Sequence, residues 1–139
     1  MPNDCRNFVT ITGNPETIKV LAEKKLDFEH FFPTPKDAQD PIEWRYENWG
    51  TKWTPHEYSE KVVGVRGMRV AFDTAWSPPS KFFEKLLKVY PDLWIKCEWH
   101  EEGGLAGVWV GNAQEIKELS WADLCLEEEY YAFKKEDEE

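Results

Sequence analysis

Residues 60–79 read EKVVGVRGMRVAFDTAWSPP. β-Branched residues crowd both halves and Arg66-Gly67 divides them, which predicts a hairpin with strands over 60–65 and 68–76. Side chains alternate along a strand, so Met68, Val70 and Phe72 point one way and Arg69, Ala71 and Asp73 the other. Ser77-Pro78-Pro79 breaks the second strand. A helix follows, with Phe82, Phe83, Leu86, Leu87 and Tyr90 spaced to share one face.

Upstream, residues 5–12 read CRNFVTIT, another strand. Gly13-Asn14-Pro15 then starts a helix, with Asn14 as cap and Pro15 at its first position; Ile18, Leu21 and Ala22 form its apolar stripe. Residues 27–32 read as a short strand or extended edge, stopped by Pro33 and Pro35. Asp40-Pro41-Ile42-Glu43 has the order of cap, first-turn proline and acid three residues after the cap. It predicts a short helix over 41–49 with Ile42, Tyr46 and Trp49 on one face and Gly50 as its left-handed terminator. Downstream, Leu93, Ile95, Cys97 and Trp99 alternate on a strand over 93–100. Residues 101–104 (EEGG) are a turn, and residues 105–110 the paired strand.

The order is strand, helix, two strands, helix, two strands, with an inserted short helix. This predicts an α+β fold: a ferredoxin-like split β-α-β sandwich, its antiparallel sheet carrying helices on one face and an extra C-terminal hairpin. The predicted domain spans 1–112. Residues 113–139 read as an acidic C-terminal extension, holding ten acids against Lys117, Lys134 and Lys135. Ser120 and Asp123 are candidate caps for a helix carrying Trp121, Leu124, Tyr131 and Phe133, with a frayed end.

The 139 residues suit one ordinary domain, and 15% aromatic content suits a packed core. The formal net charge of −10 opposes long-range attraction to phosphate backbones, so it disfavours non-specific nucleic-acid binding while leaving room for a local basic groove. The start lacks a basic stretch followed by an apolar run, and no run of about eighteen apolar residues occurs; neither a signal peptide nor a transmembrane segment is expected. Cys5, Cys97 and Cys125 show no CxxC spacing and read as buried free thiols in a reducing compartment.

Several stretches resemble one family. Met1-Pro2-Asn3, Asn48-Trp49-Gly50-Thr51-Lys52-Trp53, Thr74-Ala75-Trp76-Ser77-Pro78-Pro79, Tyr90-Pro91-Asp92-Leu93 and Glu101-Glu102-Gly103 leading into Leu105-Ala106-Gly107 are similar to the Api92-like ferredoxin-like domain family. The resemblance covers roughly residues 1–112. It implies a ferredoxin-like fold and an origin in a virus, phage, plasmid or other mobile element. It brings no established activity, so no catalytic residue is carried over. The chain departs from the family at Asp4, where tryptophan is frequent, and in its acidic C-terminus.

Chemistry-bearing groups are sparse. Cys97 and His100 are three apart on a strand and face opposite ways, so they cannot share an ion without a bulge. His30 and His56 have no ligand-like neighbours in sequence, so no metal and no cofactor are expected. Asp73 sits in a central strand and, if buried, needs Arg69, Lys52 or a backbone partner. A structural ion pair explains it more simply than acid–base catalysis, as it does Glu98, Glu101 and Glu102. No GxSxG, HExxH, P-loop or GxGxxG motif occurs.

The tryptophans raise the remaining question. Trp49, Trp53 and Trp76 read as a plug closing one end of the sheet, with Asn48, Thr51 and Thr74 placed to satisfy polar groups locally. Trp44 falls off the Ile42/Tyr46/Trp49 face and is the expected exposed aromatic, beside Arg45. The candidate binding residues are therefore Trp44, Arg45, Lys52, Trp53 and Asp73. The expected function is a non-enzymatic viral or mobile-element interaction protein that binds itself or a host or virion protein, in the host cytoplasm or virion. One alternative is single-stranded nucleic-acid binding in a side groove of Trp44, Arg45, Lys52 and Trp53, with Arg66 and Arg69. The usual sheet-face mode is disfavoured, because Phe8 is accompanied by Asp73 rather than a second aromatic. Another alternative is imitation of nucleic acid by the acidic tail.

Overall fold

In the computed structural model, residues 3–121 are described. The elements are β1 (Asp4–Thr12), α1 (Pro15–Glu23), α2 (Phe28–Phe31), α3 (Pro41–Trp49), β2 (His56–Val63), β3 (Gly67–Ala75), α4 (Ser80–Val89), β4 (Trp94–Glu101), β5 (Ala106–Asn112) and β6 (Ile116–Trp121). One antiparallel sheet takes the order β2-β3-β1-β4-β5-β6. The first four strands in that order are the split β-α-β sheet of a ferredoxin-like fold. α1, α2 and α3 occupy the crossover from β1 to β2, and α4 the crossover from β3 to β4.

Alternation builds the core. Val9 and Ile11 of β1, Met68, Val70 and Phe72 of β3, and Ile95, Cys97 and Trp99 of β4 are buried on the inner face. Phe72 meets the α2 ring of Phe28 edge-on at 6.4 Å, and Trp109 of β5 meets Phe83 of α4 at 5.2 Å. Asn7 is fully buried among these apolar groups and is satisfied by short links. Its amide donates to the Phe72 carbonyl at 3.3 Å and the Thr74 hydroxyl at 3.0 Å, and its oxygen accepts from the Cys97 thiol at 3.5 Å.

Three expectations are corrected. Residues 28–31 are a helical turn rather than a strand, because the Asp27 carboxylate accepts from the Glu29 N–H and caps it. Asn14 occupies the cap position of α1 with no side-chain capping bond; its N–H donates to Asp92 across the sheet end at 2.8 Å. Residues 116–121 are a strand, so Ser120 and Trp121 extend the sheet beyond β5 instead of starting a helix. The remainder of that expected helix, with Asp123, Leu124, Tyr131 and Phe133, lies outside the described residues, as do Cys125 and the end of the acidic tail.

Candidate binding surface

The two tryptophan stretches meet at one end of the sheet. α3 begins under the Asp40 carboxylate, which accepts from the Glu43 N–H at 3.1 Å, and ends at Gly50 with φ +82°. A Cβ on Gly50 would lie 3.1 Å from the Ser80 and Lys81 nitrogens, so close approach to α4 adds to the left-handed requirement. The buried Thr51 hydroxyl then acts as a surrogate strand for Ala75. It donates to the Ala75 carbonyl at 2.8 Å and accepts from its N–H at 3.0 Å. Ser77 donates to the Gly50 carbonyl at 2.6 Å, and Thr74 to the Ser77 carbonyl at 2.7 Å.

Trp49 is the plug. It is 1% exposed, donates its indole N–H to the Phe32 carbonyl at 3.0 Å and packs on Phe28. Trp44 is not the exposed aromatic. It is half-buried, edge-on to Trp49 at 6.0 Å, with the Lys85 ammonium 5.6 Å from its ring. Burial, with Lys88 adding, lowers the Lys85 pKa from its usual value. Trp76 is instead 50% exposed, because its φ of +64° turns it out of line with β3. Periodicity misplaced both residues: Trp44 packs against α4 contacts that a single-helix projection ignores, and Trp76 leaves the strand pattern at a backbone turn.

The five candidate residues divide into two groups. Arg45 is used inside the chain: it donates to Thr34 Oγ1 at 3.1 Å, approaches Glu29 at 3.5 Å and lies over the Trp49 ring at 5.5 Å. Lys52 lies between the Trp53 and Trp76 rings, 6.0 and 5.8 Å from their centroids. Trp53 stands edge-on to His56 at 5.1 Å, and its indole N–H is buried without a partner. His56 is the β2 residue directly opposite Asp73. Asp73 finds its partner in Arg6 at 3.1 Å, not in Arg69 or Lys52. The expected groove is therefore split: Trp44 and Arg45 are tied to α4 and α2, Trp53 and Asp73 both neighbour His56, and Lys52 lies by the Trp53 and Trp76 rings. His56 also lies 3.4 Å from Asp4, a juxtaposition of three strands that spacing in the chain conceals.

A larger surface lies on the sheet face opposite the packed helices. Register places its side chains in rows across the strands. One row runs Ser59, Ala71, Phe8, Glu98, Val108, Leu119. The next runs His56, Asp73, Arg6, His100, Ala106, Trp121, and the one on the other side Val62, Arg69, Thr10, Lys96, Val110, Lys117. Phe8, Leu119 and Trp121 are 45%, 66% and 43% exposed. Phe8 is flanked by the His100 ring at 5.9 Å and the Arg6 guanidinium at 5.8 Å. The face thus has an apolar band toward β5 and β6 and charges of both signs around it.

The family described as "Ferredoxin-like domain in Api92-like protein" matches residues 48–139. The chain belongs to this family. No curated protein and no solved structure matches the Api92-like chain. The matched span begins inside α3 and continues through β6 to residue 139, whereas the resembling stretches of sequence lie within residues 1–112. Among the described residues, no helix is long and apolar enough to cross a membrane.

Proposed function

We propose that this Api92-like chain is a non-enzymatic interaction protein of a virus or mobile element, acting in the host cytoplasm or virion. Its outer sheet face binds a protein, either a second copy or a host or virion component. One observation carries the reading: Val108, Leu119 and Trp121 form an apolar band on the face away from the helices, Phe8 lies across the exposed Glu98 in the same row, and charged residues border the band. An apolar centre with a polar rim is the anatomy of a protein interface. Exposed aromatic side chains are its usual anchors. β6 adds a sheet edge whose residues are all exposed, suited to strand pairing between copies.

The test is parallel capture on immobilised wild-type chain and a Phe8→Ser/Leu119→Lys double variant, using host lysate and free chain as the applied material. Retention of one protein, or of the free chain, by wild type and its loss from the folded double variant is expected. Equal retention by both, or retention only of single-stranded nucleic acid that salt releases, overturns the reading in favour of other surfaces or another partner class.

A further inference from the structure

We infer that Asp4, His56 and Asp73 form a divalent transition-metal site, with Zn²⁺ as the best-matched ion. Each residue offers one ligand atom, and the three atoms lie within 4.8 Å of one another. They come from three neighbouring strands: Asp4 from β1, His56 from β2 and Asp73 from β3. One imidazole nitrogen and two carboxylate oxygens are a borderline donor set, suited to zinc rather than to magnesium or calcium, which take oxygen ligands.

The surroundings hold His56 and Asp73 in place. A bulge interrupts β2 after His56, with Glu57 at φ +51°, and it sets His56 opposite Asp73. The Trp53 ring stands edge-on to the imidazole. Arg6 donates to Asp73 at 3.1 Å and to the Glu57 carbonyl at 3.3 Å, so one guanidinium ties a candidate ligand to the backbone beside another. That is the role of an outer-sphere partner in a metal site. Arg6 balances one of the two carboxylates, which leaves a net negative site for a cation. Ligand atoms on a tetrahedral zinc stand about 3.4 Å apart at bonds of about 2.0–2.1 Å, so closure needs side-chain shifts of about 1 Å. The side chains of His56 and Asp4 are 39% and 48% exposed, which keeps a fourth position open to water.

The experiment is calorimetric titration of the full chain with ZnCl₂, repeated on His56→Ala, on the near-isosteric Asp4→Asn and Asp73→Asn variants, and on a His30→Ala control. Wild type and the control are expected to bind one ion at a shared affinity. Each site variant is expected to bind at least about tenfold more weakly. The ¹⁵N resonances of His56 should shift on zinc addition while those of His30 stay. No saturable uptake by wild type, or uptake unchanged in His56→Ala and Asp73→Asn, overturns the site. Circular dichroism of each variant separates lost binding from lost folding. Should His56→Ala unfold, the two Asn variants decide the matter.

Discussion

Trp49→Ala is the perturbation that separates plug from surface among the tryptophans. A buried tryptophan removes about 150–250 Å² from water, which at about 25 cal/mol per Å² is a gross ~4–6 kcal/mol. Trp49 is 1% exposed and also bonds the Phe32 carbonyl, so the substitution leaves both a cavity beside Phe28 and an unpaired acceptor. Measured aromatic-to-alanine changes in cores cost about 3–5 kcal/mol, and about 4 is expected here. With a urea slope of about 2 kcal/mol per M, the unfolding midpoint should fall by about 2 M. Trp76→Ala removes a ring that is 50% exposed and should cost under about 1 kcal/mol, a shift below about 0.5 M. Urea titration followed by far-UV circular dichroism avoids the loss of a fluorophore. A Trp49→Ala midpoint within 0.5 M of wild type (the bound set by the same slope, roughly 1 kcal/mol), or a Trp76→Ala midpoint that falls as far as Trp49→Ala, would refute the assignment.

Asp40→Ala should cost about 1 kcal/mol through the lost cap on α3, read from the same denaturation curves. Gly107→Ala should destabilise by about 1–3 kcal/mol, because its Cβ would sit 2.6 Å from both the Leu119 carbonyl and the Trp99 ring; wild-type stability would mean that β6 does not lie where it is placed. Burial raises the Cys5 thiol pKa to about 12 and that of Cys97 well above its usual value, so neither should alkylate at pH 8 in the native chain, while both should in urea. The unfolded thiols release protons near pH 9.0 and the folded Cys5 only near 12, so stability is full below pH 9 and should decline across that window. A denaturation midpoint that is flat or rising from pH 9 to 11 would contradict it.

The sheet was largely legible because its strands alternate cleanly: the Met68, Val70, Phe72 row and the Leu93, Ile95, Cys97, Trp99 row are buried as the period of two requires. α3 was legible down to its cap and terminator because both are local chemistry. The misreadings arose where local chemistry was overruled or unseen. Phe28 and Phe31 look extended by composition, yet the Asp27 cap and packing against Phe82 make a helical turn. β6 mixes polar and apolar residues on both faces, Lys117, Leu119 and Trp121 on one and Ile116, Glu118 and Ser120 on the other, and all six are exposed, so no buried row marks it in the sequence. Of the candidate residues, Trp53 and Asp73 both neighbour His56 and Lys52 lies by the Trp53 ring, whereas Trp44 and Arg45 pack on Trp49. The Arg6–Asp73 and Asp4–His56 contacts join strands far apart in the sequence, and only register reveals them.

The outer sheet face as a protein-binding surface is tested most directly by hydroxyl-radical footprinting of the full chain in host lysate against buffer. The account predicts slower oxidation of Phe8, Leu119 and Trp121 in lysate, with the exposed Trp76 and Val65 unchanged. Unaltered rates across the face, or protection confined to Trp76 and Lys52, would contradict it.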